Sequence, residues 1–375
     1  MELNMSAPCL FGIEGICKNE LRRLGLNNVQ AENGRVRFTG TEDDLARSNV
    51  MSRFAERILV DVGTGLVKTF DECFELVKAM PWENYIPKGG VFPVTGYSLT
   101  SQLHSVPDLQ KIIKKAISVR LGKRYGVGWL PENGDMYQVR FSLLNDRLTV
   151  SLDSSGVGLH KRGYRPAQVS APLRETLAAA LVDIAGYRGK GEFLDPFCGS
   201  GTIAIEAALA AKGRAPGINR DFAAEKWAFV GRERFRKAVE EARGREYSGS
   251  YTISASDIDP RAIELARANA RRAGVEDIIR FSVADAREFS RSTEAGVIVT
   301  NPPYGERMME VSEAQRLMAD FGRAYRKTQG WELYIISSDS ELEHSCGLKS
   351  EKTRKLYNGM IKCGYYRLTV KKGQK

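Results

Sequence analysis

Hydrophobic positions up to Gly158 form short runs of two kinds, and the two kinds alternate along the chain. In 106–121, apolar residues recur on the 3.6-residue period of a helix that buries one face. Helices are also predicted at 16–24 and 69–80, and Thr41 predicts a helix cap before 42–45. Strands are predicted at 35–38, 57–62, 91–96, 136–144 and 148–152. This alternation predicts an α+β region of small antiparallel sheets.

After Gly158 the pattern changes to apolar runs of strand length that alternate with helical segments. Strands are predicted at 192–194, 251–256, 279–283, 296–300 and 331–337, helices at 173–184, 202–211, 260–273 and 311–327, and two antiparallel strands in 355–371. Repeated strand–helix–strand units predict a mostly parallel, doubly wound α/β sheet. In such a sheet ligands bind beyond the carboxyl ends of the strands, where the strand order reverses. The chemistry is therefore expected in the segments that follow the strands.

Composition narrows the classes of function. The net charge of +10 favours a polyanionic partner, although many basic proteins bind no nucleic acid. The six cysteines have no C-x-x-C spacing and only three histidines are present, so no metal site is expected and the thiols are interpreted as reduced. No apolar run reaches the roughly 18 residues of a membrane span, and 1–10 has no signal-peptide pattern. A cytoplasmic location is expected.

The first strand of the second half leads into a turn that contains glycine. Segment 195–202 reads DPFCGSGT, and Gly199 and Gly201 allow a tight turn whose backbone approaches a ligand closely. A helix begins at this turn, so its free N–H groups face the same space. The segment is neither a P-loop nor a dinucleotide-binding G-x-G-x-x-G, because Ala204 takes the place of the third glycine. Cys198 is interpreted as a small buried residue rather than a nucleophile, since no histidine is near it in the sequence.

Acidic residues follow the next two strands. Asp257 is expected to accept hydrogen bonds from ribose hydroxyls, with the apolar Ile258 against an adenine face. Asp259 precedes Pro260 and is interpreted as the N-cap of the next helix. Asp285 is placed to accept a hydrogen bond from an adenine amino group, although aspartates often end strands without such a role.

Segment 301–304, NPPY, follows the fourth strand and carries the predicted chemistry. An exocyclic base amine is a poor nucleophile because its lone pair is delocalised into the ring. The side-chain oxygen of Asn301 and the carbonyl of Pro302 can accept hydrogen bonds from such an amine and turn its lone pair towards a methyl donor, in a loop that Pro303 stiffens. Tyr304 can stack on the extruded base, which is worth about 1–3 kcal/mol. Direct methyl transfer is expected, without a metal or a covalent intermediate.

The basic segment 160–166, HKRGYRP, lies between the two halves. It is either a solvated connector or an RNA contact at a domain junction. The candidate RNA-binding residues in it are Lys161, Arg162 and Arg165.

The motifs occur in the order found in class I methyltransferases that modify exocyclic amines, and the second half resembles that class. The resemblance implies S-adenosylmethionine as the cofactor and a Rossmann-like α/β domain with a mixed seven-stranded sheet. The cofactor-binding residues that it implies are Asp195, Pro196, Gly199, Gly201, Asp257, Ile258, Asp285, Ala286 and Asn301. The catalytic residues that it implies are Asn301, Pro302, Pro303 and Tyr304.

Segments 160–165, 171–176, 215–227 and 301–307 together resemble bacterial THUMP-domain RNA methyltransferases. In that family an α+β region precedes the catalytic domain, which implies a ferredoxin-like segment at 1–60, a THUMP domain at 61–160 and the methyltransferase domain at 161–375. The THUMP domain is expected to hold structured RNA. The phosphate-facing residues expected there are Lys111, Lys114, Lys115, Lys123 and Arg124. The implied reaction is methylation of guanine N2 in 23S ribosomal RNA.

Three alternatives remain open at this stage. Guanine N2 in tRNA is a second substrate that the family implies. A DNA adenine N6 methyltransferase would use the same NPPY chemistry, but the THUMP-like first half argues against it. A non-catalytic RNA-binding factor is the third alternative, and the intact Asn301, Tyr304 and glycine turn argue against it.

Overall fold

The computed structural model describes residues 1–165, 173–289, 294–303, 311–328 and 330–369. Within them the chain forms two compact units. The first unit consists of 1–9, 17–159 and 220–241, and the second consists of 10–16, 160–219 and the described part of 242–375. Tyr304, which the sequence analysis assigns to catalysis, lies outside the described residues.

The first unit is built on one seven-stranded sheet. Its strands are β1 (Leu3–Pro8), β2 (Asn27–Glu32), β3 (Arg35–Gly40), β4 (Leu59–Leu66), β5 (Val94–Leu99), β6 (Val139–Leu144) and β7 (Arg147–Asp153). They lie in the order β2-β3-β1-β4-β7-β6-β5, and only β5 and β6 are parallel. The prediction of several small antiparallel sheets is therefore wrong. The pairing of β1 with β4 joins the strands into a single sheet, and it connects positions as distant as Met5 and Val60.

Four helices form in the first half, and one of them begins at a predicted cap. They are α1 (Glu14–Arg23), α2 (Glu42–Met51), α3 (Phe70–Ala79) and α4 (Val106–Tyr125). The predicted cap at Thr41 is confirmed, because Thr41 and Asp44 each accept a hydrogen bond from the other's backbone N–H. Such a capping box satisfies two N–H groups that the first helical turn leaves without partners. Thr69 and Glu72 form the same arrangement at α3.

The second unit is built on another seven-stranded sheet. Its strands are β8 (Glu192–Asp195), β9 (Thr252–Asp257), β10 (Ile279–Val283), β11 (Gly296–Thr300), β12 (Trp331–Ser337), β13 (Lys349–Asn358) and β14 (Ile361–Thr369). The order is β10-β9-β8-β11-β12-β14-β13. The first five strands are parallel and β14 is antiparallel to both of its neighbours. The strand order reverses at β8, so the segments after β8, β9 and β11 meet at one edge of the sheet.

The helices of the second half connect these strands. They are α5 (Glu175–Ile184), α6 (Thr202–Ala211), α7 (Arg232–Gly244), α8 (Pro260–Ala273), α9 (Val311–Arg326) and α10 (Leu342–Cys346). None of the described helices is long and apolar enough to cross a bilayer. All six cysteines are buried thiols outside any disulfide, and the described residues contain no group of acidic, histidine or cysteine side chains that could hold a metal ion.

Segment 220–241 belongs to the first unit although it follows the glycine turn in sequence. Trp227 is fully buried, stacks on Tyr137 with ring centroids 5.4 Å apart, and donates a hydrogen bond to the carbonyl of Met136. Phe222 stacks on Phe235 in the same segment. Large aromatic rings contribute most of the burial energy of such contacts. Residues from late in the chain therefore complete the core of the first unit.

Helix α9 packs against the short helix α10 with almost no space between their backbones at Gly322. A side chain at this position would overlap the carbonyl oxygen of Cys346, so only glycine fits. Phe321 and Cys346 belong to a buried apolar cluster that also contains Ile298 of β11 and Ile335 of β12. Close packing at Gly322 thus holds α9 and α10 against the strands that lead to segment 301–303.

We expect Gly322→Ala to lower the free energy of unfolding by about 1–3 kcal/mol, because the added methyl group overpacks a contact with backbone that cannot move aside. Urea denaturation of the purified protein measures the change. Gly15→Ala is the control, because Gly15 is exposed on α1 and an added methyl group there would have no neighbour within 4 Å. A helical alanine should leave stability unchanged or raise it by up to about 1 kcal/mol. Equal effects of the two substitutions would contradict the packing argument.

Candidate active site

The turn between β8 and α6 combines two glycines with different surroundings. Gly199 and Gly201 both have positive φ, at 48° and 81°, a conformation that other residues adopt only with strain. A side chain on Gly201 would lie 3.0 Å from Ala266 of α8, whereas one on Gly199 would point into open space. The backbone N–H of Cys198 donates to the carbonyl of Ser256 and fixes the turn beside β9. Gly201 therefore serves packing, and Gly199 leaves room for a ligand.

Asp257 connects the end of β9 to this turn. Its carboxylate accepts hydrogen bonds from the backbone N–H of Gly199 at 2.9 Å and of Asp259 at 3.1 Å. The residue is half-buried, and a carboxylate has about four acceptor positions, so two remain for further donors. Asp259 caps α8 by accepting from the N–H of Arg261, as its predicted role requires.

Asp195 links the end of β8 to the end of β11. Its carboxyl group is buried and accepts hydrogen bonds from the hydroxyl of Thr300 at 2.7 Å and from the N–H of Phe197 at 3.3 Å. Burial raises the pKa of Asp195 to about 7; the two hydrogen bonds lower the pKa, and the nearby charge of Asp257 raises it. Thr300 directly precedes Asn301, so this bond places the start of segment 301–303 beside the glycine turn.

Among the predicted site residues that the structure describes, Asn301 has an unsatisfied buried atom. Its Oδ1 is buried and has no hydrogen-bond partner among the described residues. Pro302 is buried and Pro303 is partly buried. Buried polar atoms in native proteins are nearly always paired, so this oxygen is a candidate acceptor for a ligand. The Asn301 oxygen is an acceptor held ready for an N–H group.

The ends of β9 and β10 expose an apolar surface. Val283 pairs with Asp257 across the two parallel strands, and Ile258 follows directly. The side chains of Ile258 and Val283 are 63% and 54% exposed, which is unusual for aliphatic residues at the edge of a core. Val283 has no motif in the sequence that marks it, and it lies beside Asp257 next to the predicted adenine contact Ile258. Exposed aliphatic side chains at these strand ends offer apolar surface to an adenine ring.

Asp285 has a partner that the sequence analysis did not anticipate. Its carboxylate forms an ion pair with Arg287 and also accepts from the Arg287 backbone N–H at 2.9 Å. The hydrogen bond from Arg287 lowers the pKa of Asp285, and Ala286 is buried beside it. Asp285 is therefore held in place near Val283 by Arg287, which donates to both of its carboxylate oxygens.

Cys198 is buried, which raises the pKa of its thiol far above the usual range. The nearby carboxyl groups of Asp195 and Asp257 raise it further. The thiolate is the nucleophilic form of cysteine, so this residue cannot act as a nucleophile here. The interpretation of Cys198 as a small buried residue agrees with this environment.

The linker arginines are buried in ion pairs. The side chain of Arg162 is only 2% exposed and pairs with Glu206 of α6, which also accepts from the Tyr164 hydroxyl. Arg165 is 12% exposed and pairs with Glu175. The RNA contact predicted for Arg162 and Arg165 stays a prediction, and in this structure both guanidinium groups are engaged by carboxylates. Lys161 remains exposed.

The predicted cationic residues of α4 have mixed surroundings within the first unit. Lys111 is 79% exposed and lies 3.6 Å from Asp108, while Lys114 pairs with Glu132. Lys115 is exposed and lies over the Phe74 ring. Lys123 and Arg124 are exposed near the end of the helix. Surface ion pairs of this kind are weak, so these cations remain available to a polyanion.

The arrangement fits a nucleoside that carries a small electrophilic group. The fit rests on the open space at Gly199, on the acceptors of Asp257, on the apolar pair Ile258 and Val283, and on the orphan Asn301 oxygen. These features share one edge of one sheet, because they follow adjacent parallel strands.

Three family models match the chain in succession. Residues 4–59 match the RlmL ferredoxin-like domain and 67–153 match the THUMP domain. Residues 162–367, more than half of the chain, match the family described as RMKL-like, methyltransferase domain.

Two curated relatives align along nearly the whole chain. "Putative RNA methyltransferase YpsC" from Bacillus subtilis (strain 168) is 45% identical over 96% of this chain and 94% of the relative. "Ribosomal RNA large subunit methyltransferase K/L" from Psychromonas ingrahamii is 34% identical over 99% of this chain and 51% of the relative. The chain thus spans about half the length of the K/L relative.

Solved structures match with the same coverage. One is described as "SMU.472, a putative methyltransferase complexed with SAH"; it is 39% identical, covers 100% of this chain and 99% of its own, and has a TM-score of 0.93. Another, from Listeria monocytogenes, is described as a "predicted N6-adenine-specific DNA methylase"; it is 41% identical over 98% of this chain and 96% of its own, also with a TM-score of 0.93.

We expect Asp195→Asn to remove one component of the pH dependence of folding. The folded pKa of about 7 lies above the ordinary value of 3.8, so the folded chain holds a proton on Asp195 that the unfolded chain has lost. Its contribution to stability is complete below about pH 4 and is lost as the pH rises through about 7. The free energy of unfolding of the variant, relative to the unchanged protein, should therefore rise between pH 4 and 8. A difference that is constant over this range would contradict the raised pKa.

Proposed function

Because this chain belongs to the THUMP-containing, S-adenosylmethionine-dependent RNA methyltransferases, we propose that it methylates the N2 amine of a guanine in large-subunit ribosomal RNA. The family membership and the Rossmann-like fold agree with the resemblance drawn from the sequence, and S-adenosylmethionine is the cofactor. The observation that carries the proposal is the unpartnered Asn301 oxygen beside the glycine turn.

The cofactor residues divide by chemistry. We assign Asp257 to the ribose hydroxyls, since its carboxylate has acceptor positions left after binding Gly199 and Asp259. Ile258 and Val283 supply the apolar face for adenine, and Asp285 accepts from the adenine amine. Asp195 acts indirectly, by holding Thr300 and the glycine turn together.

Catalysis follows from positioning. When bound, S-adenosylmethionine supplies an electrophilic methyl group on a sulfonium. Asn301 accepts a hydrogen bond from the guanine N2 amine through its free oxygen, and the Pro302 carbonyl is the second acceptor. Two acceptors on one amine fix its rotation and free its lone pair from the ring. Because Pro302 and Pro303 restrict the backbone, this geometry is held at little entropic cost. Tyr304 remains the proposed stacking residue for the base.

The substrate assignment has a separate basis. The K/L relative is named for large-subunit ribosomal RNA, and the YpsC relative is named for RNA without a specified class. The THUMP domain match at 67–153 also favours RNA over DNA, and the net charge of +10 suits either polyanion. Lys111, Lys114, Lys115, Lys123 and Arg124 are the proposed phosphate contacts of that domain.

Substitutions should distinguish the residue that binds the target amine from the residue that binds the cofactor. Asn301→Ala is expected to lower turnover by about 10²-fold or more while leaving the affinity for S-adenosylmethionine within about threefold, because only the acceptor for the target amine is lost.

Asp257→Ala is expected to weaken cofactor binding by about 10- to 100-fold, since charged hydrogen bonds are lost. Calorimetric titration and single-turnover methylation measure the two quantities.

Asp277→Ala is the matched control for Asp257. Its side chain is 67% exposed, and it precedes β10 at the opposite edge of the same sheet. This control should change neither quantity. Loss of cofactor affinity in Asn301→Ala equal to the loss of turnover would remove Asn301 from the amine site, and unchanged affinity in Asp257→Ala would remove Asp257 from the ribose site.

Mass spectrometry of nucleosides tests the reaction. Ribosomal RNA, tRNA and DNA from cells that lack the gene should be compared with those from cells that express the unchanged protein or Asn301→Ala. We expect N2-methylguanosine to be depleted in large-subunit ribosomal RNA and restored only by the unchanged protein. Depletion confined to tRNA would move the substrate to tRNA. Loss of N6-methyladenine from DNA would overturn the RNA assignment.

A further inference from the structure

The hairpin formed by β13 and β14 extends past the edge of the second sheet on which the active site lies. Ser337 ends β12 at that edge and pairs with Gly364 of β14. Strand β14 is antiparallel to β12, so the residues of β14 that come before Gly364 lie beyond the end of β12. There are three of them, starting at Ile361. At about 3.4 Å per residue, the hairpin tip at 358–360 projects by roughly 10 Å. The tip therefore stands beside the substrate side of the sheet.

One face of this hairpin carries aromatic and cationic side chains together. Lys355 and Tyr357 are two residues apart in β13, so their side chains lie on the same face. Lys362 of β14 is the cross-strand partner of Tyr357. The Lys355 ammonium lies 5.5 Å from the centre of the Tyr357 ring, and Phe11 contacts the same ring edge-on with centroids 6.3 Å apart. Met360 at the tip is 97% exposed. We call Phe11, Lys355, Tyr357, Met360 and Lys362 the hairpin-tip surface.

The position of Phe11 is enforced by its neighbour. Gly12 has a φ of +92°, and a side chain on it would lie 2.7 Å from the carbonyl oxygen of Lys355 and 3.1 Å from Leu356. The backbone at Gly12 therefore packs directly on β13. This contact brings the Phe11 ring to the hairpin but leaves the residue 57% exposed. Burial energy does not account for an aromatic ring held in place and yet left in water.

The charges of this surface are uncompensated. Neither Lys355 nor Lys362 forms an ion pair with any part of the chain that the structure describes. Glu351, the one carboxylate of β13, pairs with Arg367 instead. An exposed ring and a half-buried ring flanked by exposed cations are the combination that single-stranded nucleic acid uses, with bases stacked on the rings and phosphates beside the cations. A protein partner of mixed charge would leave these lysines unpaired.

We propose that the hairpin-tip surface binds the unpaired nucleotides that flank the target base. Phe11 and Tyr357 stack on neighbouring bases, Lys355 and Lys362 contact their phosphates, and Met360 packs against the end of the stack. The inference rests on the proposed RNA substrate and extends it, because it requires the target to lie in a single-stranded or opened region. A surface of this kind beside the active site also stabilises the extruded state of the base.

Fluorescence anisotropy of the full-length protein with a labelled oligouridine of about ten nucleotides tests the surface directly. Phe11→Ala is expected to weaken binding by about tenfold, since one stacking contact is lost. The double variant of Lys355→Glu and Lys362→Glu should lower the slope of log affinity against log salt by about 1.4, because two phosphate contacts to a single strand are lost. Affinity for S-adenosylmethionine should be unchanged in all of them.

Matched controls use the same sheet. Lys190 is exposed just before β8, at the edge opposite the active site, so Lys190→Glu should not change RNA affinity. Tyr247 is 67% exposed elsewhere in the second unit, and Tyr247→Ala should behave likewise. Unchanged affinity in the hairpin variants, or equal losses in these controls, would overturn the proposal.

Two further outcomes separate this inference from the proposed function. If the unchanged protein methylates ribosomal RNA and the hairpin variants do so with the same kcat/KM, RNA binding by the hairpin-tip surface is contradicted. The proposed methyltransferase function is then still supported. If the unchanged protein neither binds nor methylates RNA, the function itself fails. Sedimentation velocity adds a third readout. A dimer that dissociates on Phe11→Ala and Met360→Ala substitution would identify the surface as an interface between copies and overturn the RNA assignment.

Discussion

The active edge of the second sheet depends on one buried hydrogen bond, from the hydroxyl of Thr300 to the carboxyl of Asp195. It joins the ends of β11 and β8, which lead into the amine-binding loop and the glycine turn. Both polar groups are buried, so leaving either one without its hydrogen-bond partner would cost several kcal/mol of stability. Asp257 connects β9 to the same turn through Gly199. Three strand ends are therefore held together by side chains. Asn301 is positioned because it directly follows Thr300.

Much of the second sheet could be predicted from the sequence, because its elements have local signals at both ends. Helix α8 has the bounds that Asp259, Pro260 and Gly274 imply, and β10, β11 and β12 are bounded by polar or glycine residues around apolar runs. Strands β1 and β2 were missed, since their stability comes from pairing with distant strands. Helix α7 was missed because its charged sequence hides a narrow apolar face, which Phe235 buries against Phe222.

The types of residue at the site could be predicted, but their partners could not. The motif positions indicated acceptors after each strand, which the structure places at one edge. Charge alone did not reveal that Arg162 is neutralised by Glu206, since the two are 44 positions apart and meet only when α6 packs on the linker. The ion pair of Asp285 with Arg287 is local, so the sequence did contain that signal. Phe11 had no local signal, because its role depends on a hairpin more than 300 positions later.

The electrostatics of this edge explain why the proposed amine acceptor is an amide. Burial already raises the pKa of Asp195 to about 7, and the charge of Asp257 contributes to that rise. A carboxyl group at position 301 would be a further acid in the same buried region, where desolvation and like charge both favour the protonated form. A protonated carboxyl keeps an acceptor oxygen but adds a donor, and the amine can use only the acceptor. The Asn301 side-chain oxygen is an acceptor at every pH. It can therefore accept a hydrogen bond from an amine in surroundings where a carboxylate would become protonated.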